Sequence, residues 1–228
     1  MLRSYPLGEA DRIIELCTLE RGKVRAVAKG VRKTKSKFGA RLEPLTHVAV
    51  QMHEGRNLDI VTQAEVIDSW KIIREDLDRT GKAVTAAEAV WQLSKEGQPD
   101  PRMHKMLLGA LRTIEADDPA LIVPAFLCKL LAHEGVQPIL DRCAMCDVDD
   151  PLVAFDLARG GALCASHRSG PSLSGDGLLV LKAIFGGGLA AALEIPPSPV
   201  AHEIDAIATL AFETHIERRL RSPHLLDR

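Results

Sequence analysis

Cys143-Ala144-Met145-Cys146 is a CxxC pair, and after seventeen intervening residues Cys164-Ala165-Ser166-His167 is a CxxH pair. A two-residue gap lets one tight turn aim both ligand atoms at a single ion, and thiolate with imidazole suits zinc in tetrahedral geometry. The side chains of Cys143, Cys146, Cys164 and His167 fill all four positions and leave none for a reactive water. The expected ion is therefore one structural Zn2+ per chain, and its ligation contributes on the order of 10 kcal/mol to ordering the loop. Three of the five cysteines lie in this one region, which favours metal over a disulfide framework. Cys17 and Cys128 each stand alone in an apolar run and read as plain core.

The second chemical feature is charge. Nine basic residues and no acidic one stand between Arg21 and Arg41. Such a patch is a candidate phosphate-binding surface, with Lys23, Arg25, Lys29, Arg32, Lys33, Lys35, Lys37 and Arg41 as its DNA-binding residues. Lys23, Arg25 and Lys29 fall on a predicted strand, and Arg32 to Lys37 on a mobile loop leaving it. A strand with an adjoining loop suits an OB-type barrel, in which a charged groove follows a nucleic-acid backbone. Aromatic residues are sparse here, with Phe38 inside the patch and Tyr5 before it. Binding is thus expected to be mainly electrostatic, weakly sequence-specific and steeply salt-dependent. The plainer alternative is a solvated basic face that keeps an edge strand from aggregating.

Other chemistry lacks a signature. The sequence has no G-x-x-x-x-G-K-[ST] and no H-E-x-x-H. Asp76 with Asp78, and Asp149 with Asp150, sit in charged stretches and read as solubility or capping residues. His133, His202 and His215 lie on predicted helices, where packing or surface roles are the rule. The expectation is a protein that is not an enzyme.

The elements that must position these residues follow from periodicity. Arg12 to Asp68 holds short β-branched or alternating runs, RIIELCTL, KVRAVAKGV, HVAVQMH and DIVTQAEVI, separated at Gly22 and at Glu54 to Asn57 by hairpin-type breaks. Four or five strands in under 70 residues predict a small barrel. After Trp70 the spacing of Ile73, Leu77, Thr80, Val84, Ala87 and Trp91 predicts one helix face, and Met103, Leu107, Ala110 and Ile114 predict a second behind Pro101. Asp118-Pro119 predicts an N-cap for the apolar stretch through Leu131. Ser198-Pro199 predicts the same for a last helix with Ile204, Ile207, Ala211 and Leu220, ending in the basic turn Arg218 to Arg221. Residues 186 to 199 read as a linker. Trp70 and Trp91 belong to the helical core or the domain junction.

At 228 residues and 46% hydrophobic composition the chain is long enough to bury a core. The net charge of -2 is uneven, with 12 Lys+Arg against 9 Asp+Glu in residues 1 to 70 and 17 against 22 in the rest. No apolar run approaches membrane-spanning length, and the acidic pair in MLRSYPLGEADR stands where a secretory signal would be apolar. A soluble, unprocessed, cytoplasmic protein is expected.

Over nearly its whole length the sequence resembles the bacterial recombinational repair family RecO. The resemblance rests on Leu2-Arg3-Ser4-Tyr5, Gly8-Glu9-Ala10-Asp11-Arg12-Ile13, Gly22-Lys23, Ala28-Lys29-Gly30-Val31-Arg32 and Arg41-Leu42-Glu43-Pro44. It extends through Gln63-Ala64-Glu65, the Cys143/Cys146 to Cys164/His167 ribbon and Arg219-Leu220-Arg221-Ser222. It implies an α+β fold with an N-terminal OB-fold β-barrel over 1–70. An all-α C-terminal domain over 71–228 then carries a zinc-ribbon insertion at 141–170. It further implies a mediator of DNA repair and homologous recombination in the RecF pathway. Such a protein binds single- and double-stranded DNA, anneals complementary strands, and with RecR helps load RecA onto DNA coated by single-strand-binding protein. The family pattern has several residues ahead of the Leu2 to Tyr5 segment that form most of the first barrel strand. With Met1 first, a late start codon or an incomplete barrel edge is expected. His167 stands where a fourth cysteine is common, and imidazole serves zinc equally well. Two other classes stay open: a zinc-dependent hydrolase acting on nucleic acid, and an RNA-binding or scaffold module on the same barrel.

Overall fold

The computed structural model describes residues 1–148 and 151–222, so Asp149 and Asp150 lie outside the described residues. The backbone packs as two compact units, Met1–Glu115 and Ala116–Arg228. The change from strand to helix at residue 70 therefore precedes the packing boundary, because three helices belong with the sheet.

In the first unit five strands, β1 (Arg3–Leu7), β2 (Asp11–Thr18), β3 (Gly22–Ala28), β4 (His47–His53) and β5 (Asp59–Asp68), form one sheet in the order β1-β2-β3-β5-β4. All neighbours are antiparallel except β3 with β5. This is the OB-like strand order, with β1 and β4 at the two ends. The ends approach at a single point, where the Met1 nitrogen donates to the Thr46 carbonyl (3.0 Å) and the Leu45 amide donates to the Met1 carbonyl (2.9 Å). No strand ladder between β1 and β4 joins them among the described residues. Alternation sets the core: Ile14, Leu16, Val24, Ala26, Ala28 and Val61 face inward, joined by Phe38 and Leu42 from the β3–β4 connection. Gly22 closes the β2–β3 hairpin at a φ of 68°. A Cβ there would stand 2.0 Å from the Gln98 carbonyl oxygen, so only glycine fits.

Helices α1 (Lys71–Glu75), α2 (Leu77–Leu93) and α3 (Pro101–Ala116) complete this unit. The expected single face from Ile73 to Trp91 is not what the chain forms. Asp76 caps a new helix by accepting from the Arg79 amide, Leu77 is left 71% exposed, and the buried face is Ala83, Ala86, Ala87 and Val90. Helix α3 is as expected: Asp100 accepts from the Met103 amide ahead of Pro101, and Met103, Leu107, Ala110 and Ile114 are buried.

The second unit holds α4 (Ile122–His133), a two-stranded antiparallel ribbon β6 (Leu152–Asp156) and β7 (Gly161–Cys164), then α5 (Gly175–Gly186), α6 (Leu189–Leu193) and α7 (Pro199–Ile216). Asp118 does not cap α4: its φ is 48° and the helix begins three residues after Pro119. Ser198 does cap α7, accepting from the Ala201 amide. That helix stops at Ile216 on the left-handed Glu217, so Arg218 to Arg221 lie beyond it and not in its last turn. The segment read as a linker contains the short helix α6. The result is an α+β fold with an OB-like sheet region followed by a helical part that carries the cysteine ribbon.

Candidate metal centre and nucleic-acid interface

The metal cluster is assembled from two turns. The Cys143 amide donates to Val148, the Asp147 amide to Cys143, and the Ala144 amide to Ala162, which lays the CxxC turn along β7. Gly161 lets the chain ahead of this turn run against β7, because a Cβ at its φ of 143° would stand 2.3 Å from the Ile139 carbonyl oxygen. Cys164 ends β7, and the 3-10 turn Ala165–His167 swings His167 back over it. Ligand atoms of Cys143, Cys146, Cys164 and His167 then lie within 4.8 Å of one another, Cys143 and Cys164 being buried. Cys146 Sγ is 3.8 Å from Cys164 Sγ, and His167 Nδ1 is 3.5 Å from Cys164 Sγ and 3.9 Å from Cys143 Sγ.

A tetrahedral zinc with bonds of about 2.3 Å to sulfur and about 2.0 Å to nitrogen sets ligand separations of about 3.8 Å for S–S and about 3.5 Å for S–N. The group fits that ion. The Cys164 amide, followed by those of Met145 and Cys146, stabilises the Cys143 thiolate and pulls its pKa down to about 6 against the opposing effect of burial. A thiolate at neutral pH is the form a metal requires. Cys128 is the contrast, a buried thiol pushed up to about 12 by desolvation and inert as core.

The basic residues separate into two sets. Lys23 and Arg25 leave the outer face of β3, where α2 packs. Lys23 Nζ donates to the Trp91 carbonyl (2.7 Å) and lies 4.7 Å from the centre of the Trp91 ring; burial lowers its pKa, opposed by Glu15. Arg25 pairs with Glu15 (3.4 Å), a carboxylate that is 6% exposed and also accepts from the Trp91 indole N–H. Arg3 stacks 3.8 Å above the same ring and bonds Glu88 at 3.0 Å. This network fastens α2 to the sheet.

The other six leave the connection after β3 and are exposed. The Arg32 amide donates to Ala10 and its guanidinium to the Gly8 carbonyl, which ties the loop to the β1–β2 turn. Lys37 Nζ reaches the Thr62 carbonyl (3.0 Å) on β5, and Arg41 reaches the Lys37 carbonyl (2.9 Å). Carbonyl partners position these cations without neutralising them. The side chains of Lys29, Lys33 and Lys35 have neither an ion pair nor a hydrogen bond among the described residues. The loop is built from turns, with the Ser36 amide donating to the Lys33 carbonyl, and Phe38, only 2% exposed, anchors it. Phe38 therefore cannot stack on a base, while Tyr5 on β1 is exposed.

Residues 1–70 match the family model Recombination protein O N terminal, and residues 74–224 match Recombination protein O C terminal. The chain belongs to the RecO family. It thus has a role in DNA repair and recombination in the RecF pathway, within a family of recombination mediators that act with DNA and recombination partners. No helix among the described residues is long and apolar enough to cross a membrane.

Proposed function

We propose that this RecO-family chain is a cytoplasmic recombination mediator that holds DNA strands electrostatically and does no covalent chemistry. Its 1–70 part grips the phosphate backbone of single- and double-stranded DNA. The 71–228 part, with the loop at 141–170 pinned by one structural Zn2+, supports it. The observation behind this reading is the loop from Lys29 to Arg41, which projects six exposed cations and no acid from the OB-like sheet. Neutralising two strands on one basic surface lowers their mutual repulsion, and that is what annealing needs. Lys23 and Arg25 act one step back, holding β3 and α2 in place. In this reading the chain anneals complementary strands and, with RecR, assists RecA loading on DNA covered by single-strand-binding protein.

The test is a strand-annealing assay with two complementary oligonucleotides and no nucleotide triphosphate. Faster duplex formation than in buffer alone is expected. Absence of acceleration at low salt, or a requirement for ATP, would overturn the proposal. An RNA duplex of the same length, run alongside, separates this reading from an RNA-binding module.

A further inference from the structure

The outer face of the β4–β5 hairpin carries a polar surface of another kind than the basic loop. In the ladder Ala49 stands opposite Glu65 and Gln51 opposite Gln63. Alternation puts these four on the side away from Val50 and Ala64, which pack against the core. With Arg41 and Val66 they line a hollow of about 380 Å³. The side chains of Gln51, Gln63 and Glu65 are exposed and make no hydrogen bond or ion pair among the described residues. Cations border the hollow without entering its floor. Lys37 Nζ binds the Thr62 carbonyl next to Gln63, and Arg41, held by the Lys37 carbonyl, forms one wall. Neither strand contains a lysine or an arginine.

We infer that this hollow is a nucleobase subsite, in which Glu65, Gln51 and Gln63 hold the hydrogen-bonding edge of one unstacked base whose phosphate lies at Lys37 and Arg41. The inference rests on the proposed grip of the loop on DNA and adds a base preference to it. A phosphate does not belong in the hollow itself, because the Glu65 carboxylate repels it and no cation of β4 or β5 offsets that repulsion. No aromatic side chain lines the hollow, so the base is held by its edge and not by stacking. The edge chemistry then selects. A carboxylate accepts from the exocyclic amino group of cytosine, whereas thymine presents a carbonyl oxygen at the same place and sets acceptor against acceptor. The carboxamides of Gln51 and Gln63 each offer a donor and an acceptor, and so suit the rest of either pyrimidine edge. Glu65 is therefore the residue that discriminates, in favour of cytosine.

The experiment uses the full chain and two labelled strands of equal length, oligo-deoxycytidine and oligo-deoxythymidine, compared by fluorescence anisotropy at low salt. Equal charge removes the phosphate contribution from the ratio of their affinities. The cytidine strand is expected to bind about fivefold more tightly, the low end of what one hydrogen-bonded base contributes to discrimination. Glu65→Gln, an exposed exchange that keeps the side chain's size, is expected to bring the ratio to about one. Gln51→Ala with Gln63→Ala is expected to weaken binding of the cytidine strand by about fivefold and, since no charge is removed, to leave the salt slope unaltered. Tight binding of both strands without a preference, or a preference for thymidine, overturns the inference and leaves the grip of the loop intact. A cytidine preference that survives Glu65→Gln also overturns it, since base recognition then lies elsewhere. Failure of both strands to bind at low salt overturns the proposed function and this inference with it. The wild-type ratio needs no variant, so it stands even if a substitution disturbs the sheet.

Discussion

The division of the basic residues into two sets makes a quantitative prediction. Converting Lys29, Lys33 and Lys35 together to alanine removes three cations whose side chains have no ion pair or hydrogen bond among the described residues, so the fold loses no polar partner through them. Each phosphate contact contributes about 0.7 to the slope of log K against log salt for a single strand, so the slope falls by about 2. Between 50 and 200 mM salt the wild-type chain then loses about 20-fold more affinity than the triple variant does. Fluorescence anisotropy with a labelled 30-nucleotide strand, titrated at four salt concentrations, reads this directly. Lys23→Ala and Arg25→Ala are the controls. Their charges are held by the Trp91 carbonyl and by Glu15, so they lower stability and leave the slope where it was. Equal slope changes in both sets would refute the division. An unaltered slope in the triple variant would refute the role of the loop itself.

Three further outcomes are expected. Glu15→Ala leaves Arg25 and the Trp91 indole without their buried acceptor and lowers the stability of the first unit by about 2 to 4 kcal/mol in urea melts, whereas a change under about 0.5 kcal/mol would contradict the network. Cys146→Ser breaks the four-ligand set, so metal analysis falls from about one zinc per chain to well below it, and amides of the ribbon exchange faster; retention of full zinc would contradict the assignment. Burial lowers the pKa of both His47 and His104 below the ordinary 6.5. The unfolded chain therefore takes up protons first, and this stability is complete above about pH 6.5 and is lost as pH falls further. Urea midpoints at pH 7.5 and 5.5 measure the decline, and His104→Gln should flatten it.

How far the sequence reveals these features depends on whether the signal is local. Strands β2 to β5 are legible because β-branched residues alternate with polar ones within each run, and the metal ligands because two-residue gaps carry their geometry with them. The break at Asp76 is not legible, since Ile73 and Leu77 continue an apparent helical period although the chain starts a second helix between them. Its buried face is mostly alanine, whose weak hydropathy hides the true stripe. The fates of Lys23 and Arg25 were equally hidden: a basic run looks uniform in sequence, and only the non-local approach of Trp91 and Glu15 divides it. Phe38 reads as a stacking aromatic by its neighbours and is a core residue by its packing. Strand β1 contains Pro6 and two polar residues, so its identity rests on pairing with Asp11 to Glu15 and not on its own pattern.

The most direct test of the central claim is photocrosslinking of the intact chain to a single strand carrying 5-iodouridine, with the attachment sites mapped by mass spectrometry. Crosslinks to peptides spanning Lys29 to Arg41, lost at high salt, are the expected result. Crosslinks confined to residues 116–222, with the basic loop unlabelled, would contradict it.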